Sequence, residues 1–349
     1  MNTRLLMRSP NIETVTGVAN DTTTVELFIH QDGLSVPTLP TFELSKPIPS
    51  NIITDAEYNV SEYLKDQVSH LAYTAPTVPD ESAAVNEYVM LKTKSTLNGA
   101  YTHGTPYLSE YVVFNSYGLH SEGYNPTGQV ALLDEGTYYC NEGGVHGGLY
   151  LHSANFAAVD MTIKYSSITG GATTVTNLIT KEVTKNPYIH SIFASEGNLV
   201  EVFVAGVLQH TYRFELICEP KYTVRYCDFV NRFGAWQRVV FFKVSTNSVK
   251  VKSKKYSLMT PNSNYDVAAN QVQTFNYKAT EIHVCNTGFV PESYKTTMRD
   301  LAMSERVLLD GFPVNVTDSN IVMQSNINDK TINYKVSFES TNTLLNNII

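Results

Sequence analysis

Nine histidines in 349 residues invite a metal or acid–base reading first. His146 and His152 flank Gly147-Gly148-Leu149-Tyr150-Leu151, and His103 and His120 lie in neighbouring loop-rich sequence. No carboxylate or second His stands at the spacing of a zinc enzyme, so polar loop or interface histidines are the favoured reading over a loop-borne metal site. Glu142-Gly143-Gly144-Val145-His146-Gly147-Gly148 has the glycine content of a phosphate loop. No Lys-Ser/Thr follows it, and a loop needing positive φ is the better account. Gly-x-Ser-x-Gly and His-Glu-x-x-His are absent, which removes the usual anchors of hydrolase and zincin chemistry. No catalytic residue, cofactor-binding residue or metal ligand is assigned, no cofactor is expected, and the chain reads as a non-enzyme.

Composition narrows the partners. The net charge is −8, from 25 basic and 33 acidic side chains, so nothing global draws the chain to a phosphate backbone. Lys250, Lys252, Lys254 and Lys255 form a local basic cluster interleaved with Val249, Val251 and Tyr256. That pattern reads as a solvated strand face or a protein contact in preference to a nucleic-acid site. No run reaches signal-peptide or membrane-span character, and the expectation is a soluble protein made in the cytoplasm, with no membrane and no nucleic acid as partner. Cys140, Cys218, Cys227 and Cys285 contain no Cys-x-x-Cys pair. Cys218 and Cys227 could face each other across adjacent strands, but cytoplasmic assembly favours two buried thiols.

The elements that must position such residues are strands. Only 17% of the chain is charged, 42% is hydrophobic and Tyr reaches 22, a balance suited to pleated, half-buried surfaces. From Cys218 to Phe242, two apolar runs flank Asn231-Arg232-Phe233-Gly234-Ala235, the signature of a β-hairpin with a buried face. It carries the only Trp, and Trp236, Phe233, Gly234, Phe241 and Phe242 are expected to be structural anchors. A sugar- or peptide-stacking role for Trp236 is the competing reading, and a core Trp needs a partner for its indole N–H.

Elsewhere, alternation puts Val25, Leu27 and Ile29 on one face of a strand, and Pro37 to Pro49 bracket a short edge strand at residues 41–44. A strand at residues 56–60 runs into a helical turn capped by Ser61. Further strands are expected at residues 85–94, 108–114, 137–140, 157–165, 173–179, 188–194, 199–207 and 210–218. Two short strands, 274–277 and 280–285, then precede a helix opened by Pro291, with Tyr294, Met298, Leu301 and Ala302 on one face. Val307-Leu308-Leu309, an Asp310-Gly311 turn, residues 313–316 and residues 331–338 close the chain.

The fold class expected is therefore mainly β, with consecutive β-sandwich-like domains and one short C-terminal helix. The domains fall at residues 1–126, an N-terminal β-sandwich; 127–256, a central β-domain with the 231–237 hairpin; and 257–349, a C-terminal β-rich domain with a helix near 291–304. Tyr101, Tyr107, Tyr117, Tyr124 and Tyr150 sit in Tyr/Gly-rich stretches that read as interface loops.

Three ordered groups of segments carry a resemblance. The first is Arg8-Ser9-Pro10 with Val25-Glu26-Leu27-Phe28-Ile29 and Val60-Ser61-Glu62-Tyr63-Leu64-Lys65-Asp66. The second is Phe229-Val230-Asn231-Arg232-Phe233-Gly234-Ala235-Trp236-Gln237, leading to Phe241-Phe242-Lys243. The third is Asn286-Thr287-Gly288-Phe289-Val290 with Met303-Ser304-Glu305-Arg306-Val307-Leu308-Leu309-Asp310-Gly311 and Asn328-Asp329-Lys330-Thr331-Ile332-Asn333-Tyr334. Together they resemble virion structural proteins of tailed bacteriophages, notably marine T4-like phages and phages of Bacteroidetes. The resemblance spans nearly the whole chain but leaves residues 98–210 uncovered. It implies a non-enzymatic component of the tail, baseplate or neck, assembled in the host cytoplasm into the virion. Its implied partners are other virion proteins and further copies of itself in a symmetric ring. A receptor- or carbohydrate-binding module of the tail and a capsid decoration protein are the alternatives.

Overall fold

The computed structural model describes residues 3–17, 20–49, 54–70, 73–79, 87–102, 107–122, 130–143, 146–152, 161–177, 183–217, 221–258, 268, 270–317 and 331–345. It is mainly β, with several sheets and a single α-helix, Tyr294–Ala302, among these residues. By its contacts the chain divides into two compact units. One comprises Met1–Glu219, Asp228–Val239 and Met303–Glu305; the other comprises Pro220–Cys227, Val240–Ala302 and Arg306–Ile349.

The first unit holds a six-stranded sheet in the order Thr3–Leu6, Ser109–Phe114, Tyr88–Leu97, Thr22–His30, Phe42–Pro47, with Ala100–Tyr101 pairing Tyr88–Leu97. Thr3–Leu6 runs parallel to Ser109–Phe114, and the other pairings are antiparallel. A ribbon of Ile12–Gly17 and Thr54–Asn59 packs on it. Val15, Ala56 and Tyr58 of the ribbon share one core with Val25, Leu27, Leu91 and Val113 of the sheet. Period-two patterning fixes this arrangement, because a one-residue slip would turn the whole apolar set to solvent. Phe42–Pro47 lies at the sheet edge, where the terminal Pro47 costs no ladder bond.

A five-stranded sheet in the same unit runs Thr173–Asn177, Met161–Ser167, Asn198–Val204, Val207–Ile217, Gly136–Asn141. Beside it, Gly148–His152 and Val183–Pro187 pair antiparallel and are buried along their whole length. Tyr188 stacks on Phe214 with centroids 4.4 Å apart. The strand expected at residues 188–194 is instead a turn. Pro187 ends the preceding strand, and His190 caps the 3₁₀ turn Ser191–Phe193 by accepting the Ile192 N–H at 3.3 Å. Ser61 likewise does not cap its turn, whose N-cap is Val60. The Ser61 hydroxyl donates to the Ser9 carbonyl at 2.6 Å and accepts from Asn11 at 2.8 Å.

The seven-stranded sheet has the order Trp236–Phe241, Arg225–Val230, Val307–Leu309, Phe312–Val316, Thr331–Ser340, Val272–Pro291, Thr246–Ser257. Asp310 and Gly311 have φ of 50° and 84°, the left-handed pair that a two-residue hairpin turn demands. Tyr334, Val336 and Phe338 face the core. The two short strands expected at 274–277 and 280–285 are one strand, Val272–Pro291, that continues through two register shifts. Asn276 and Gly288 adopt positive φ near them, so the ladder bends without ending. Pro291 closes that strand and does not open the helix, which begins at Tyr294. Tyr294, Met298 and Leu301 are buried, whereas Ala302 is exposed.

Candidate functional site

The hairpin turn is built by Asn231. Its Oδ1 accepts the N–H groups of Phe233 at 3.0 Å and Ala235 at 3.2 Å, and its Nδ2 donates to the Leu132 carbonyl at 2.9 Å. An Asn does this because its side chain mimics a backbone turn. Gly234 follows at φ +83°, and a Cβ there would stand 2.8 Å from the Phe114 Cβ and 3.1 Å from the Asn115 backbone. Trp236 is 1% exposed, Phe233 and Phe241 are buried, and Phe242 is half-buried. Two guanidinium groups approach the Phe233 ring, Arg232 at 4.5 Å and Arg4 at 5.6 Å. Arg232 in turn pairs with Glu122 and, at 2.8 Å, with Asp134.

Trp236 faces a buried cluster of ionisable groups that sequence reading missed. His70 meets the indole edge-on at 5.8 Å and hydrogen-bonds the Gly234 carbonyl at 3.2 Å, and Tyr73 lies 5.6 Å from the indole. The Tyr73 hydroxyl accepts the Gly148 N–H at 3.0 Å. Cations approach the Tyr73 ring from Lys185, at 4.6 Å, and from Arg238, at 5.3 Å. Arg238 holds Asp228 at two points, both 2.7 Å, with both side chains almost fully buried. Lys185, 1% exposed, donates to the Thr74 carbonyl at 2.6 Å and lies 5.2 Å from the Tyr150 ring. The Trp236 indole N–H has no acceptor among the described residues.

Burial sets the protonation states here. Desolvation raises the Glu87 carboxyl to about 7 against the pull of Lys185 and of the nearby Tyr150 hydroxyl, and it lowers His152 to about 3, helped by Arg4. The Cys140 thiol is pushed up to about 12 by burial. At neutral pH His152 is therefore an uncharged ring and Cys140 a thiol. A closed set of cation–aromatic and ion-pair contacts of this kind specifies one packing arrangement of the strands that carry it.

The proposed contact tyrosines are dispersed. Tyr101 is 57% exposed, Tyr107 is half-buried over Lys92 and Lys94, and Tyr117 is half-buried under Arg8 at 4.8 Å. Tyr124 lies outside the described residues. Tyr150, read as part of an interface loop, sits instead in the buried strand Gly148–His152 and is 1% exposed, because its ring closes over Lys185. Of the histidines first considered, His120 is exposed, His146 half-buried and His152 buried, while His103 lies outside the described residues. Among the described residues no three His, Cys, Asp or Glu side chains converge as metal ligands. Cys140, Cys227 and Cys285 are buried thiols, and Cys218 lies outside the described residues.

The lysine cluster lies on the strand Thr246–Ser257, which is exposed at every residue. The sequence pattern reads as a solvated strand face or a protein contact, and the interleaved Val249 and Val251 are themselves 55% and 56% exposed. No protein-family model and no curated protein matches this chain.

Proposed function

We propose that this chain is a non-enzymatic structural protein of a tailed-bacteriophage particle, in the tail, baseplate or neck, where it makes subunit–subunit contacts. The observation that carries the reading is the hairpin at residues 231–237. It is the most specific of the segments resembling phage virion proteins, and its Asn231 turn, Gly234 and Trp236 are all committed to internal packing. A segment used in this way serves architecture. Several sheets with exposed polar faces supply the surface that subunit contacts need. The partners are other virion proteins and further copies of the chain, assembled in the host cytoplasm.

Mass spectrometry of purified particles from the encoding phage tests this. The chain is expected among the particle proteins at a fixed ratio to tail components. Its absence from intact particles would sink the proposal, and a copy number in the hundreds would move it to the capsid surface.

A further inference from the structure

Thr246–Ser257 ends the seven-stranded sheet, and its partner is exposed at six of the seven residues from Val272 to Lys278. The pair forms a ribbon whose Val249, Val251, Tyr256 and Phe275 are between 44% and 56% exposed. A two-stranded ribbon with apolar side chains in water is marginal by itself and gains by acquiring a covering surface. Its charge states what kind. Lys252 stands directly opposite Lys278, and Lys254 and Lys255 make no ion pair among the described residues. Residues 246–280 hold five lysines against the single acids Asp266 and, just beyond, Glu281, in a chain of net charge −8. The remainder of the chain is thus more acidic than the whole.

A second free edge has the opposite character. Phe42–Pro47 ends the six-stranded sheet and pairs only with Thr22–His30 among the described residues. It borders a groove lined by Glu43, Ser45, Lys46, Tyr58, Glu62 and Tyr63. Lys46 donates to the Glu57 carbonyl and lies 4.9 Å from the Tyr58 ring, and the two carboxylates Glu43 and Glu62 outnumber it in the groove.

We propose that the Thr246–Ser257 edge of one copy adds to the Phe42–Pro47 edge of a second copy, its lysines meeting Glu43 and Glu62. Lysines on an edge strand bar pairing with another basic or apolar edge and leave an acidic edge as the permitted partner. The contact is head-to-tail, so repetition gives a ring if the rotation closes. It names the surface of the self-assembly proposed above and rests on that part of the reading.

The test uses the full chain and two charge-reversed variants, Lys252→Glu/Lys254→Glu/Lys255→Glu and Glu43→Lys/Glu62→Lys, whose sites are exposed. Sedimentation velocity at low and high salt is expected to show salt-sensitive self-association of the parent. Each variant alone should associate at least about tenfold more weakly, and mixing the two should restore a complex between the reversed arm and the reversed groove. A parent that stays monomeric at all concentrations, association indifferent to both reversals, or an arm that binds a DNA oligonucleotide while groove reversal changes nothing would each overturn the proposal. Particle membership would still be decided separately by mass spectrometry.

Discussion

The rings of Tyr73 and Trp236 lie 5.6 Å apart at an interplanar angle of 38°, although the two residues are 163 positions apart in sequence. Tyr73 belongs to an irregular segment and Trp236 to a strand. The contact makes the segment part of the core of its unit. Arg238, on the same strand as Trp236, also approaches the Tyr73 ring, and Lys185 extends the join to one further strand, Val183–Pro187.

Trp236 is the only Trp, so its fluorescence reports this join directly. Its emission should be blue-shifted and resistant to acrylamide in the native protein, with a red shift on denaturation. Trp236→Ala should cost about 3–5 kcal/mol, read by circular dichroism in urea. Ready quenching of the native protein would contradict the buried site.

Gly234→Ala combines left-handed strain with a Cβ 2.8 Å from Phe114, and should destabilise by about 2–4 kcal/mol. Gly311→Ala has similar φ, +84°, but open space around the added atom, and should cost only about 1–2 kcal/mol. Equal losses would show that crowding at Gly234 relaxes.

Arg238 and Asp228 form a two-point pair with side chains 11% and 4% exposed. Asp228→Ala leaves a buried guanidinium uncompensated and should cost about 3–5 kcal/mol, while Asp228→Leu with Arg238→Met should recover most of that loss. A double-mutant cycle in urea measures the coupling.

Glu87 has its carboxyl raised from 4.5 to about 7 in the folded chain. Between those values the folded state holds more proton than the unfolded state, so this group lowers stability as pH rises from about 4.5 to 7, by roughly 3 kcal/mol in total. His152 acts oppositely. Lowered from 6.5 to about 3, it makes the unfolded state the stronger proton binder and removes stability as pH falls through that window. Glu87→Gln should therefore leave stability rising with pH up to about 6.5, whereas the parent should lose stability between about 6.5 and 7. Urea midpoints across pH 4 to 8 give both slopes.

Much of the strand content was legible because period-two patterning and turn chemistry are local. Val25, Leu27, Tyr334, Val336 and Phe338 alternate as expected and are buried. The Asp310-Gly311 turn follows from two residues that tolerate positive φ. Errors fell where a neighbour overrode the local signal. Residues 188–194 look strand-like until His190 caps a turn, and residues 272–291 look broken until the bulges carry the ladder through.

By itself the sequence determined a mainly β chain, the turn at residues 231–237 and an apolar destination for Trp236, since each depends on neighbouring residue types. Tertiary structure alone decided that Tyr73, Lys185 and Arg238 converge and that Tyr150 is buried. It also decided that the Val-Lys strand is wet on both faces. Those outcomes depend on which distant strand packs against each face. Alternation along one strand records that a face can be covered, and only the partner strand determines whether it is.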